Sequence, residues 1–355
     1  MAKILITGAA GFIGFHLVSK FLKESDFEVV GLDVINNYYD VNLKFARLTE
    51  HGINGVALGD HGQVNSQKYS NYKFVKADLA DYEFIVDFMI KEKFDYVVNL
   101  AAQAGVRYSI ENPRAYTHSN VEGFLSILEG SRHSQVKHLV YASTSSVYGL
   151  NTEMPLSEKQ PTQHPISLYS ATKKANEMMA HAYSHLFKIP TSGLRFFTVY
   201  GPWGRPDMAL FLFAEAILGN KPIKVFNHGK MVRDFTYVED IAESIKRLVV
   251  KPVQANKDWV GNNPAADTSS APYRIFNIGN NNPVELLTYI EALENAIGKK
   301  AIKTMMEMQP GDVPATHAAT DSLENYISFK PNTSVQEGVD SFVRWYRMYK
   351  ENFGE

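Results

Sequence analysis

The sequence lacks cysteine entirely, with none among its 355 residues. This absence excludes disulfides, cysteine nucleophiles, cysteine-ligated zinc and iron–sulfur clusters, and it argues against a secreted scaffold held by disulfides. An excess of either charge is also lacking, because 36 Lys and Arg residues nearly balance 38 Asp and Glu residues. Proteins that bind nucleic acid through its phosphates are usually basic, so we predict no nucleic-acid partner.

Long hydrophobic runs are missing as well. No apolar stretch approaches the roughly 20 residues that a membrane-spanning helix needs. The chain enters a strand-like pattern at residues 3–7, without the apolar segment and cleavage site typical of a signal peptide. These features predict a soluble, cytoplasmic protein with no membrane partner.

Short apolar runs alternate regularly with longer helical patterns over the first two thirds of the chain. Several of the apolar runs contain few polar residues, as expected for parallel strands that are buried on both faces. This rhythm predicts an α/β fold with a Rossmann-type doubly wound parallel sheet. The predicted strands are 4–7, 29–33, 73–76, 96–100, 138–143 and 193–196, and the helices between them are 12–23, 82–91, 115–131 and 167–187.

A glycine-rich turn at residues 8–14 (GAAGFIG) follows the first predicted strand and opens a helix. Glycine lets the backbone approach a pyrophosphate, and the free N–H groups of the helix N-terminus face that anion. The second strand ends in Asp33, an acid suited to hydrogen-bond ribose hydroxyls and to repel a 2′-phosphate. We therefore predict NAD rather than NADP as the cofactor.

Further contacts with NAD are predicted after the third and fourth strands. On spacing alone, the segments 78–79 and 100–103 fit a polar strand terminus almost as well as a cofactor site. The complete set of predicted NAD contacts is Gly8, Gly11, Phe12, Ile13, Gly14, Asp33, Asn36, Asp78, Leu79, Leu100, Ala101, Ala102, Gln103, Tyr169 and Lys173.

Tyr169 and Lys173 lie one helical turn apart on one face of a predicted helix. A phenol has an ordinary pKa near ~10, and a nearby ammonium group together with a cationic nicotinamide ring favours the phenolate. Tyr169 is thus a candidate base. Four other Tyr–Lys pairs share this spacing, and a solvated face or strand explains them: Tyr69/Lys73, Tyr72/Lys76, Tyr326/Lys330 and Tyr346/Lys350.

A hydroxyl-rich segment distinguishes Tyr169 from those four tyrosines. Residues 143–149 (STSSVYG) follow an apolar strand at the edge of the sheet where ligands bind. We select Thr144 as the hydroxyl that hydrogen-bonds the substrate oxygen that loses and regains a proton, with Ser143 and Ser145 beside it.

Together, the TGAAGFIG start, the strand-end hydroxyls and the YSATK segment resemble the extended short-chain dehydrogenase/reductase family over nearly the whole chain. Within that family the sequence is most similar to NAD-dependent nucleotide-sugar epimerases, especially UDP-glucuronate 4-epimerases. The segments that carry this likeness are 36–48, 100–109, 194–209, 258–273 and 308–321.

The resemblance implies a mechanism. Tyr169 removes the proton of the sugar C4 hydroxyl while hydride passes from C4 to NAD. The 4-keto sugar then presents its other face, and hydride and proton return to give the inverted centre. NAD is tightly bound and recycled, and UDP-glucuronate becomes UDP-galacturonate for polysaccharide biosynthesis.

Related enzymes share the 4-keto sugar but differ at the residues after the strand-end Thr. The 4,6-dehydratases have an Asp-Glu pair there, and UDP-glucuronate decarboxylases have a Glu where this chain has Ser146. The sequence has Ser145 and Ser146 and so favours epimerisation. A 4-epimerase of UDP-glucose or UDP-N-acetylglucosamine stays open, as do a decarboxylase, a net dehydrogenase and an NAD-binding regulator without activity.

A substrate carboxylate needs a receptor, and a guanidinium can bind it through two parallel hydrogen bonds. We predict Arg205 in this role, assisted by Thr198 and Ser145, with Arg107 as the second choice. On spacing alone, a surface arginine explains Arg205 equally well. The complete set of predicted substrate contacts is Arg107, Ser143, Thr144, Ser145, Thr198, Arg205, Val225, Phe226, Asn227, Arg233 and Asp312.

By the resemblance, Arg233 binds the diphosphate, residues 225–227 flank uracil, and Asp312 binds the uridine ribose. The domain division predicted is an NAD-binding domain over 1–200, to which 236–252 and 274–280 return, and a smaller α/β C-terminal lobe over 201–355. Beyond residue 201 the predicted helices are 208–218, 238–250 and 286–297, and the segments 51–70 and 255–272 are predicted surface loops.

The eleven histidines show no metal-ligand spacing, so we predict no metal site. The family resemblance implies a homodimer, in which the predicted helices 115–131 and 167–187 of two subunits form a four-helix interface.

Overall fold

The computed structural model describes residues 1–24, 26–55, 58–309 and 312–353. The described residues contain thirteen strands. They are β1 (Ala2–Thr7), β2 (Phe27–Asp33), β3 (Gln63–Asn65), β4 (Tyr72–Lys76), β5 (Tyr96–Asn99), β6 (His138–Thr144), β7 (Thr191–Phe196), β8 (Thr198–Tyr200), β9 (Ile223–Val225), β10 (Val232–Tyr237), β11 (Tyr273–Ile278), β12 (Pro283–Glu285) and β13 (Lys303–Met305).

The helices flank these strands. They are α1 (Phe12–Leu22), α2 (Val41–Glu50), α3 (Tyr82–Glu92), α4 (Tyr108–Glu111), α5 (Pro113–Tyr116), α6 (Gly123–Ser134), α7 (Leu168–Phe187), α8 (Ala209–Leu218), α9 (Val238–Val249), α10 (Leu286–Ile297), α11 (Asp321–Ile327) and α12 (Val335–Phe353). A π-helical turn, Thr117–Glu122, joins α5 to α6, and 3₁₀ turns occupy Ser145–Tyr148 and Phe226–Gly229. None of the described helices is long and apolar enough to cross a membrane.

The large sheet has eight strands in the order β11-β7-β6-β5-β1-β2-β4-β3. Its strands run parallel except β3, which pairs antiparallel with β4 at one edge. The strand order reverses between β1 and β5, and ligands of such sheets bind beyond the strand ends at this point. The predicted doubly wound parallel sheet is confirmed.

The remaining strands form two small sheets, β12-β10-β8 and β13-β9. A separate apolar core of aromatic and aliphatic side chains from α8, α10 and α12 packs beside them. Helix α9 packs against α1, and β11 pairs with β7 in the large sheet. Residues beyond position 201 therefore contribute to both parts of the molecule.

Two local predictions were wrong, and one helix was missed. The segment 51–70, predicted as a loop, contains strand β3, and helix α2 was not predicted. The predicted single helix 115–131 is divided by the π turn. The carbonyl of buried Asn120, within this turn, accepts a hydrogen bond from the Asn176 side chain at 2.6 Å, an interaction that the local sequence pattern does not reveal.

Candidate active site

The turn between β1 and α1 brings backbone very close to backbone. Gly8 adopts a positive φ of 70°, and a Cβ there would lie 2.9 Å from the Ala101 amide nitrogen. A Cβ at Gly14 would overlap the Gly8 carbonyl oxygen. Helix α1 begins without a side-chain cap or an acidic residue in its first turn. Its N-terminal N–H groups therefore remain suited to an anion such as a pyrophosphate.

Asp33 is held at the end of β2 by two backbone amides. Its carboxylate accepts hydrogen bonds from Ile35 N at 2.8 Å and from Ala10 N at 3.1 Å. Buried Lys44 approaches the same place and donates to the Asn36 side chain at 2.7 Å. Burial lowers the pKa of Lys44, and the Asp33 charge partly opposes this effect. The sequence analysis did not identify Lys44.

One cavity of about 280 Å³ collects all fifteen predicted NAD contacts, from Gly8 to Lys173. Ser143 and Arg205, predicted as substrate contacts, line the same cavity. So do several residues that were not predicted, among them Tyr38, Tyr39, Lys44, Ser119 and Met208. The predicted cofactor contacts and the candidate base are therefore adjacent in space.

The N-terminus of α7 positions the candidate catalytic pair. Ser167 caps the helix, and its side chain and that of Ser170 exchange hydrogen bonds with the two backbone N–H groups. Tyr169 lies in the first turn, where the positive end of the helix dipole favours a phenolate. Lys173 follows one turn later and is almost fully buried.

The electrostatics of this pair differ from the sequence prediction. Burial raises the pKa of Tyr169, while a hydrogen bond with the Thr144 side chain and the charge of Arg205 lower it in part. Burial also lowers the pKa of Lys173 to about 8, against the opposing charge of Glu177. Arg205, rather than Lys173, is the chain's cation that acts on the phenol most clearly.

A buried ion pair lies directly behind these residues. Arg195 donates from Nε and Nη2 to the two carboxylate oxygens of Glu177, each at 2.9 Å, and Ser143 Oγ donates to the same carboxylate at 2.8 Å. Burial acts to raise the pKa of Glu177, but Arg195 and Lys174 outweigh it and lower that pKa to about 2. Glu177 thus links α7 to the ends of β6 and β7.

Arg205 lies in the loop after β8, between the two parts of the molecule. Its Nε and Nη2 donate to the carboxylate of Asp207 at 2.9 and 2.5 Å. The Tyr38 hydroxyl donates to that carboxylate at 3.2 Å, and the guanidinium carbon lies 5.7 Å from the centre of the Tyr38 ring. Arg205 is therefore not a free surface arginine.

A neighbouring cavity of about 150 Å³ collects four of the predicted substrate contacts, Ser145, Thr198, Arg233 and Asp312. Arg233 Nη2 donates to Asp312 Oδ1 at 2.7 Å, so these two residues pair with each other. Ser146 also lines this cavity, and its backbone N–H donates to Thr144 Oγ1 at 3.2 Å.

The other predicted substrate contacts do not meet there. Arg107 is exposed and does not line either cavity. Val225 is fully buried in the apolar core beside the small sheets, and its carbonyl accepts from Met306 N at 2.9 Å. Phe226 and Asn227 are partly buried in the following 3₁₀ turn. A contact through the Val225 side chain is therefore excluded, because that side chain is enclosed by the core.

The family is decided by a comparison with known sequences. Residues 4–279 match the model of the NAD dependent epimerase/dehydratase family. The chain belongs to this family. It is 54% identical over 347 residues to the protein CapI of Staphylococcus aureus, covering 98% of this chain and 99% of that protein.

Two further relatives have more specific names. The probable UDP-glucuronate 4-epimerase of Rhizobium meliloti strain 1021 is 47% identical over 347 residues, covering 97% of this chain and 96% of that protein. The crystal structure of UDP-glucuronic acid 4-epimerase from Bacillus cereus with UDP-glucuronic acid and NAD is similar with a TM-score of 0.82. It is 30% identical, and the match covers 98% of this chain and 99% of that one.

The residues of this chain fit the NAD that family members use. The crowded glycine turn leaves backbone N–H groups at the start of α1, and Asp33 lies at the end of β2 in the same cavity. A 2′-phosphate beside the Asp33 carboxylate would be repelled, so the donor and acceptor set matches NAD.

Three residues that support the site were not recognised from the sequence. Asn120 binds the Gln103 backbone on both sides, accepting at 2.8 Å and donating at 3.0 Å. Glu177 supports α7, and Lys44 approaches Asp33. For Glu177 a signal was present, because it follows Lys173 by one further helical turn on the same face.

Proposed function

We propose that this protein is a UDP-glucuronate 4-epimerase that converts UDP-glucuronate to UDP-galacturonate with retained NAD. The observation that carries the proposal is the presence of Arg205 in the same cavity as Tyr169 and Lys173. A guanidinium beside the candidate base matches a sugar that bears a carboxylate one carbon beyond its ring. The named relatives from Rhizobium meliloti and Bacillus cereus support the same assignment.

In this proposal Tyr169 takes the proton of the C4 hydroxyl and later returns it, so that the sugar passes through a 4-keto form. A hydrogen bond with the Thr144 side chain lowers the pKa of the phenol and so favours this role. The dipole of α7 and the charge of Arg205 both favour the deprotonated phenol, which opposes the effect of burial. NAD, when bound, supplies the hydride acceptor and donor that this chain's side chains lack.

In this proposal, different residues of the two cavities bind NAD and the UDP-sugar. The glycine turn and Asp33 hold NAD, while Arg233, Asp312, Ser145 and Thr198 of the second cavity hold the UDP-sugar, whose carboxylate reaches Arg205 in the first cavity. The proposed domains follow the same division. The NAD-binding domain covers 1–200 together with the returning segments, and the substrate lobe covers 201–355. Ser146 occupies the place of the glutamate of decarboxylases, which supports retention of the carboxylate.

One observation favours a second candidate, a 4-epimerase of neutral UDP-sugars. The pairing of Arg205 with Asp207 neutralises the guanidinium, so a neutral sugar would meet no net charge there. The two candidates are separated by the substrates that the enzyme accepts.

The test is proton NMR of the purified protein with UDP-glucuronate, without added NAD. We expect UDP-galacturonate to appear with its carboxylate intact. A pentose product would contradict the role given to Ser146. No reaction with UDP-glucuronate, combined with turnover of UDP-glucose by the same NAD-containing preparation, would favour the neutral-sugar epimerase.

We also propose a cytoplasmic homodimer whose product serves polysaccharide biosynthesis. Helices α6 and α7 support the dimer, because they expose apolar side chains: Leu125, Leu168, Met178, Leu186 and Phe187. Lack of cysteine fits a reducing compartment. Light scattering of the native chain and of Met178→Glu tests the interface, and a variant that stays dimeric would exclude this face.

A further inference from the structure

Asp207 accepts side-chain hydrogen bonds from Arg205 and Tyr38, two residues that line the first cavity. Its Oδ1 accepts from Arg205 Nε, and its Oδ2 accepts from Arg205 Nη2 and from the Tyr38 hydroxyl. The Nε and Nη2 edge of the guanidinium is thus occupied. No hydrogen bond joins Arg205 Nη1 to the residues that the structure describes, and Arg205 lines the cavity that contains Tyr169.

Arg205 carries a positive charge and Asp207 a negative charge, so the pair has no net charge. Burial acts to raise the pKa of Asp207, but the hydrogen bonds and charge of Arg205 outweigh it and hold that pKa below its usual value. Asp207 is therefore ionised at neutral pH. A guanidinium with one edge on a carboxylate can still bind a second carboxylate through its other edge. The second carboxylate is then repelled by the first.

We propose that Asp207 is a positioning residue that limits how tightly Arg205 binds the carboxylate of a UDP-hexuronate. This inference rests on the proposed function, in which Arg205 is the receptor. Preference for the charged sugar then comes from directed hydrogen bonds of the free guanidinium edge, and not from net positive charge. A carboxylate held with limited strength can leave Arg205 when the sugar turns between its two faces.

The test is calorimetric titration of the NAD-containing protein with UDP-glucuronate and with UDP-glucose. For Asp207→Asn, we expect the Kd of UDP-glucuronate to fall about fivefold, because a like charge across a partly exposed guanidinium is removed. The Kd of UDP-glucose should stay within about twofold. Raising the salt concentration should reduce the gain. Asp207→Ser removes the same charge and should act in the same direction.

A matched control is Asp60→Asn, which changes the net charge equally at a residue that is exposed and lines neither of the two cavities. It should leave both affinities unchanged. If Asp207 only stabilised its loop, both Asp207 variants would weaken UDP-glucuronate binding, and that result, or no change, would overturn the inference while the function stands. Arg205→Met separates the two ideas: unchanged UDP-glucuronate affinity there would overturn the proposed receptor and this inference together.

Discussion

The cofactor side and the sugar side of the site are built differently. Most of the predicted NAD contacts follow the ends of parallel strands, and all fifteen line one cavity. The predicted sugar contacts come from the end of β6, from loops and from the small sheets, and they do not share one cavity. Strand ends of a parallel sheet meet at one edge whatever the connections do, whereas loop positions depend on packing between distant segments.

The two sides also differ in their electrostatics. The cofactor side relies on backbone N–H groups and one carboxylate, Asp33, held by backbone amides. The sugar side presents cations that are already paired, Arg205 with Asp207 and Arg233 with Asp312. Sequence motifs identify the first kind of site more completely, because its geometry is fixed by main chain.

Loss of the candidate base should have the largest effect. Tyr169→Phe removes the group that accepts the C4 proton, so we expect turnover of UDP-glucuronate to fall about 10³-fold or more. NAD content and UDP binding should persist. The proton NMR assay, run on protein that retains its NAD, measures this turnover. Tyr69→Phe is the control, since Tyr69 has the same spacing to a lysine but lines neither cavity; equal losses in both variants would contradict the role of Tyr169.

The second largest effect, a loss of bound NAD, is expected from crowding the glycine turn between β1 and α1. Gly14→Ala places a methyl group against the Gly8 carbonyl, so the turn must shift and NAD should be lost on purification. The NAD content is measured by extracting the nucleotide from the purified protein and comparing its absorbance with that of the protein. Gly59→Ala is the matched control, because a Cβ at Gly59 meets no atom of the described residues within 4 Å apart from its two chain neighbours. Full NAD content in Gly14→Ala would contradict the role of the glycine turn in NAD binding.

The buried pair behind Tyr169 should contribute stability. Glu177→Gln leaves Arg195 buried without its counter-charge and should lower the free energy of unfolding by about 3 kcal/mol at pH 7. Because folding lowers the Glu177 pKa from 4.5 to about 2, the ionised carboxylate stabilises the fold above pH 4.5. That contribution is lost as the pH falls towards 2, so the two proteins should converge.

Urea unfolding at several pH values measures this effect. Glu243→Gln is the control, because its pair with Arg247 lies on the surface and should contribute less than about 1 kcal/mol. A Glu177→Gln difference that stays constant down to low pH would exclude the ionised carboxylate as its cause.

The smallest effect is expected at Arg107. Because Arg107 is exposed and lines neither cavity, Arg107→Met should change the Kd of UDP-glucuronate by less than about twofold. Calorimetry on the NAD-containing protein measures this, with Arg205→Met as the contrasting variant. A large loss in Arg107→Met would mean that Arg107 reaches the sugar after all, and the second choice for the receptor would replace the first.

Much of the fold was predictable because its signals are local. Buried parallel strands require continuous apolar runs, and each of the six predicted strands falls on an observed strand and extends at most one residue beyond it. Helix α2 and strand β3 were missed. Strand β3, Gln63–Asn65, has three residues that are exposed or half-buried, so no apolar pattern marks it.

The candidate site shows the same limit at individual residues. Tyr169, Lys173 and Asp33 were found from spacing and motif. The Arg195 partner of Glu177 lies 18 residues further along the chain, and Asn120 binds Gln103 through a π turn. The residues of such pairs are distant in sequence and meet only when helices, turns and strands pack together, so no local pattern predicts them.

The sequence by itself determined the doubly wound sheet and the glycine turn, and it predicted a set of cofactor contacts that line one cavity, because backbone periodicity and glycine geometry act over a few residues. Tertiary structure alone decided which charges face one another. It placed Asp312 on Arg233 and Glu177 on Arg195. The physical reason is that ion pairing and burial depend on distances through space, which the chain sets only when its separate elements pack.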